Sequence, residues 1–108
     1  MQASQTIWSE AEKTIAQAAF TNAYQREINA LIQEVHDRSK QIKAIEDVWH
    51  LHDFLSARRH ELDGKYDNRD AALVFVFADL LREGWLQVSE IEGLDADKIK
   101  KISALARM

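Results

Sequence analysis

Apolar residues recur at three- and four-residue intervals along most of the chain. Ser9–Glu12 (SEAE) matches a capping box, with Ser9 as cap and Glu12 reaching back. Beyond it Ile15, Ala19, Tyr24, Ile28, Leu31 and Val35 keep helical spacing, which predicts a first helix over about residues 10–37. The polar stretch His36–Lys40 (HDRSK) breaks the pattern, and Ser39 is the expected cap of a second helix ending at Gly64. One continuous kinked helix is the alternative. Two helices of about 25 residues would each run about 37 Å, too long and thin to cover each other. A second copy alongside, giving a four-helix arrangement, would cover them.

The rest of the chain predicts shorter elements. Asp67 or Asn68 can cap a third helix running through Glu83 and stopped by Gly84. Its stretch Ala71–Leu81 (AALVFVFADLL) is apolar nearly all round, the mark of a buried helix. The LVFVF run has strand propensity, but the preceding cap and the DLLREG ending favour helix. Ser89 and Glu92 form a second capping box closed at Gly93, and Asp95 caps a final helix with Ile99, Ile102 and Ala106 facing inward. The expectation is therefore an all-α single domain over residues 1–108. Residues 1–63 form a two-helix dimerisation stalk, four-helix-like in the homodimer, and residues 64–108 form a small helical head.

Composition agrees. In 108 residues there is no proline and only three glycines, and residues that lose little freedom in a helix are plentiful. The net charge of −4 counts against a nucleic-acid surface, and the one small basic cluster is Lys98, Lys100 and Lys101. No cysteine is present, which excludes disulfides, thiol catalysis and thiolate metal sites. No apolar run reaches membrane-spanning length, and the N-terminus MQASQTIWSEAEK lacks a signal-peptide pattern. A soluble cytoplasmic protein is expected.

The chemistry is concentrated in Trp49–Glu61 (WHLHDFLSARRHE), which holds three of the four histidines. On a helical wheel Ala44, Val48, Leu51, Leu55 and Leu62 form an apolar seam. Trp49, His52, Asp53, Ser56 and His60 form a separate stripe, which Ile42 and Ile45 extend toward the helix start. His50 and His52 point about 160° apart and cannot share an ion. His60–Leu62 lacks the second histidine of H-E-x-x-H. Ser56, His52 and Asp53 spell a triad in name, but neighbours on one exposed helical face do not make a preorganised pocket. No metal, cofactor or enzymatic activity is expected. Two readings of the stripe stand. Trp49 packs on the first helix with polar groups solvated beside it, or Trp49 anchors a protein-docking hot spot. Arg59 lies beside His52 but about 120° from Asp53, so an Asp53–Arg59 pair within the helix is not expected.

The same residues carry a resemblance. Trp49–Arg69 (WHLHDFLSARRHELDGKYDNR) resembles the signature segment of the cyanobacterial fluorescence recovery proteins, and FVFADLL (Phe75–Leu81), KISALAR (Lys101–Arg107) and AYQRE (Ala23–Glu27) extend it over nearly the whole chain. His50 and Trp85 depart from the commoner pattern. The resemblance implies an all-helical homodimer without cofactor. It would bind the light-activated red form of the orange carotenoid protein through that protein's C-terminal domain, hasten its return to the orange form and promote its detachment from the phycobilisome. Quenching then ends and antenna fluorescence recovers. The implied location is cytoplasmic, at the phycobilisome and thylakoid surface, without insertion into the membrane. Trp49, His52, Asp53 and Arg59 match the family's functional patch, Phe75 and Lys101 match a second contribution from the head, and Val48 matches a dimer contact, to which the seam adds Leu51 and Leu55. From the residues alone, Phe75 is expected in the core and Lys101 as a solvated charge near a helix C-terminus. The alternative function is a DNA-binding regulator using residues 64–108 as a helix-turn-helix, against which the acidic charge counts.

Overall fold

Residues 7–108 are described by a computed structural model, and among them every regular element is helical. The absence of a targeting pattern in part concerns Met1–Thr6, which lie outside the described residues. In chain order the elements are α1 (Glu10–Ser39), α2 (Ile45–Lys65), α3 (Asp70–Glu83), a short 3-10 turn (Val88–Ile91) and α4 (Ala96–Ala106). The molecule is elongated, 58 × 27 × 24 Å.

The Ser9 cap forms as the sequence predicts. Ser9 Oγ accepts the Glu12 N–H at 3.1 Å, and Glu12 Oε1 accepts the Ser9 N–H at 3.0 Å. Gly84 ends α3 in the left-handed region at φ 87°, where a side chain is strained. Other caps differ. α1 runs on through Ser39, whose hydroxyl donates to the His36 carbonyl, so it does not open α2. α2 starts at Ala44, where the Asp47 carboxylate accepts the N–H groups of Lys43 (2.9 Å) and Ala44 (3.1 Å). Gly64 does not stop α2, which continues to Lys65. Arg69, not Asp67 or Asn68, sits at the α3 cap, while Asp67 accepts the Arg69 N–H. In the 3-10 turn Glu90 reaches back to the Gln87 N–H, and the Ser89–Glu92 box does not form.

The core joins the first half of α1 to α3 and α4. Ala16, Ala19 and Ala23 are small enough to bring α1 close to Phe77, Leu80, Leu86, Ile91 and Ile102, all fully buried. Trp8 meets Phe77 edge-on with centroids 6.4 Å apart and donates its indole N–H to the Asp70 carbonyl. Ile102 is buried and Ile99 and Ala106 half-buried, as the α4 pattern predicts.

Two buried carboxylates on α1 tie this arrangement together. Glu12 accepts from Lys98 Nζ at 2.9 and 3.0 Å and from the Asp95 N–H at 2.8 Å. It therefore caps its own helix and holds the start of α4. Burial by itself would raise the Glu12 pKa. The Asp95 N–H, the Lys98 ammonium and the Ser9 N–H outweigh it and bring the carboxyl from 4.5 down to about 2. Fifteen residues on, Glu27 accepts from Lys65 Nζ and from the Tyr66 hydroxyl, both at 2.7 Å, which fixes the end of α2. The Tyr66 ring stacks edge-on against Phe20 and Tyr24. Burial and the Glu27 carboxylate raise the Tyr66 pKa, so the phenol stays a donor.

Removing Lys98 leaves the buried Glu12 charge without its counterion. Lys98→Ala is expected to cost about 3 kcal/mol in urea unfolding, and adding Glu12→Gln should restore part of it. Because Glu12 titrates lower folded than unfolded, its contribution is complete above pH 4.5 and is lost as pH falls toward about 2. Acid titration of the wild type and Glu12→Gln should diverge across that interval.

Candidate docking surface

α2 is held at its two ends and, between them, on its inner side by Phe54 and Arg58. Asp47 closes its first turn and Lys65 ties its last to Glu27. None of its 21 residues is buried. A helix usually draws most of its stability from packing one apolar face, and here the seam residues Leu51, Leu55 and Leu62 are only half-buried, with Val48 37% exposed and Ala44 at the exposed cap.

The second face of α2 stands open. Trp49 is 57% exposed and Ile45 56% exposed, and His52, Asp53, Ser56, Arg59 and His60 are exposed beside them. Trp49 is thus not packed on α1. His52 Nδ1 lies 3.3 Å from Asp53 Oδ1. Arg59 does not meet Asp53; its guanidinium lies 3.9 Å from Asp63, one turn on, with both groups well exposed. Its neighbour Arg58 turns inward instead, 3.5 Å from Glu27 and 3.7 Å from Glu34, and stacks with Arg38 around the Phe54 ring. The adjacent arginines therefore divide between a structural role and an outward one. His52, Asp53 and Ser56 share no enclosed site, and among the described residues no group of three metal-ligating side chains comes together.

On α4 Lys101 is exposed, and on α3 Phe75 is 60% exposed. The expectation of a core Phe75 is overturned. α3 buries Leu73, Val74, Val76, Phe77, Ala78 and Leu80 on one side, and the helical turn carries Phe75 to the other. An apolar run is legible as a buried helix, but not the one position that faces out. Lys98, grouped by sequence with Lys100 and Lys101, is committed to Glu12, which removes a cation from any recognition helix. Tyr24 and Ile32 on α1 are also exposed, at 42% and 51%; their helical spacing suggested an inward position for Tyr24. Among the described residues no helix is long and apolar enough to cross a membrane.

The exposed Trp49, His52, Asp53 and Arg59 on α2 and the outward Phe75 on α3 are residue types common at protein-binding hot spots. Comparison with known proteins places the chain in a family. The family model described as "Photoprotection regulator fluorescence recovery protein" matches residues 8–106. The chain is 52% identical over 108 residues to the fluorescence recovery protein of Synechocystis sp., covering 100% of this chain and 99% of that one. It superposes on the structure of the Fremyella diplosiphon fluorescence recovery protein with a TM-score of 0.92 at 59% identity, covering 94% of this chain and 100% of that one. It superposes on the Synechocystis structure with a TM-score of 0.91 at 54% identity over the same shares.

Since Trp49 supports no core contact, Trp49→Leu should leave unfolding free energy within about 0.5 kcal/mol of the wild type. Phe77→Ala, two residues from the exposed Phe75, should cost about 3–5 kcal/mol. Denaturation followed by circular dichroism separates the two.

Proposed function

The chain belongs to the fluorescence recovery protein family of photoprotection regulators, and we propose that it is a non-enzymatic regulator of the orange carotenoid protein. It binds the light-activated red form through that protein's C-terminal domain, speeds its return to the orange form and promotes its release from the phycobilisome. The observation that carries this reading is the open face of α2, where Trp49 stands 57% exposed among His52, Asp53 and Arg59 on a helix with no buried residue.

The mechanism follows from differential binding. A protein that does no chemistry can accelerate a conformational return only by holding the transition state between red and orange forms more tightly than the red form itself. It must bind the orange form weakly to be released. Trp49 supplies a large apolar anchor for a site exposed only in the red form. Asp53, His52 and Arg59 set its orientation by charge-assisted hydrogen bonds. Exposed Phe75 and Lys101 supply the second contact from the head. The protein acts at the phycobilisome surface, without a cofactor.

The protein works as a homodimer in this reading. Val48, Leu51 and Leu55 lie on the half-covered seam of α2, and a second copy completes the burial that one chain leaves unfinished. That also places the two Trp49 faces on one rigid body.

Mixing the protein with light-activated orange carotenoid protein and following absorbance in the dark tests the function directly; unchanged recovery kinetics would refute it. Trp49→Leu should slow recovery at least about tenfold while the fold is kept, equivalent to about 1.4 kcal/mol of lost stabilisation. Val48→Glu should shift the mass in light scattering from dimer to monomer, and a stable Val48→Glu dimer would remove the seam assignment.

A further inference from the structure

Gly64 has no purpose within its own chain. The other two glycines do: Gly84 takes a positive φ, and a Cβ on Gly93 would collide with Ile15 Cδ1. Gly64 is the penultimate residue of α2, does not have positive φ, and a Cβ built on it meets nothing within 4 Å. Glycine weakens a helix relative to alanine, so neither backbone nor internal packing calls for it here.

Gly64 lines a groove. The groove, about 470 Å³, runs between the end of α2 and α3 and is lined by Gly64, Ala72 and Phe75 with Glu61, Asp67 and Asp79 around it. Lys65 also lines it, but its ammonium is tied to Glu27 and Glu83. Asp67 pairs with Arg69 and Asp79 with Arg82, whereas Glu61 has no ion pair among the described residues. The groove thus offers an apolar floor with a 60% exposed aromatic ring and one uncompensated negative charge. It also prolongs the Trp49 stripe: Trp49, Asp53, Ser56, His60 and Gly64 follow one another at helical intervals down the same face.

We propose that this groove receives a second segment of the protein that docks on Trp49, one presenting a cation beside an apolar side chain, and that the segment's backbone crosses Gly64 too closely for any side chain there. The inference rests on the partner reading above. Charge favours that partner over another copy of this chain, because this chain carries net charge −4 and the groove is itself acidic. A bare Cα at the crossing makes Gly64 a position that sets specificity, since a β-carbon would clash with the partner without touching anything in this molecule.

The test compares Gly64→Ala, Gly64→Leu, Glu61→Lys and Trp49→Leu for binding to light-activated orange carotenoid protein, dark recovery and thermal melting. Gly64→Ala should raise the melting temperature by about 2–5 °C and still bind more weakly than the wild type. Gly64→Leu should weaken binding at least about tenfold with an unchanged circular dichroism spectrum. Glu61→Lys should weaken binding most at low salt. If Gly64→Leu binds as the wild type does while Trp49→Leu does not, the groove assignment is wrong and the partner reading survives. If the wild type fails to bind, both fall. A lowered melting temperature for Gly64→Ala would show that the fold itself needs the glycine and overturn the inference. So would a change in oligomeric mass with Gly64→Leu, which would place a second copy in the groove.

Discussion

The structure depends on one carboxylate. Glu12 closes the first turn of α1, accepts the N–H at the start of α4 and neutralises Lys98, all with the same two oxygens. A buried charge is tolerable only when its lone pairs are satisfied and its counterion is close. Satisfying Glu12 therefore requires α4 to lie across the first turn of α1 in one orientation. Hydrophobic burial drives the head together, but apolar contacts alone are tolerant of sliding. The ion pair specifies a register. Glu27 repeats the device for α2 and the α2–α3 connection through Lys65 and Tyr66, and Arg26 adds an outer tie to Glu90 and the Trp85 carbonyl.

These ties explain how the docking face can remain bare. The N-terminal half of α1 is pinned to α3 and α4, and α2 is pinned to α1 by Lys65 in its last turn and by Arg58. The outer face of α2 is then free of packing duties within the chain. Trp49, Ile45 and Val48 would be poor choices for a helix standing alone in water, and Phe75 likewise for α3. Their presence is compatible with the fold because the fold's stability lies elsewhere, in the cluster around Phe77, Leu80 and Ile102.

Much of this was legible in the sequence. Helical periodicity located all four long elements, and the Ser9–Glu12 spacing named a cap that forms as expected. The Trp49 stripe was visible because a helix places residues by angle alone. Long-range roles were not visible. Nothing local distinguishes Lys98 from Lys100 or Lys101, since its partner lies 86 residues away. Glu12 read as a capping residue, and its second oxygen's bond to Asp95 depends on the tertiary arrangement. Phe75 sits in a run where every neighbour is apolar, so periodicity carries no contrast there, and only the packing of α3 against α1 and α4 reveals which side is out. Ser39 stays inside α1, bonded to the His36 carbonyl, and Asp47 closes the start of α2 instead, a choice that local capping preference alone does not make.

The uneven anchoring of α2 has a consequence for motion. Cooperative opening follows local burial, so the amides around Phe77 and Ile102 should open only with the whole molecule. Those in the middle of α2 are backed only by half-buried leucines and by Phe54 and Arg58, and can open while the core stays closed. The face proposed for docking thus lies on the helix with the least buried support. Contact there can be felt as a tightening of this helix, and its release as a loosening, without disturbing the core that carries it.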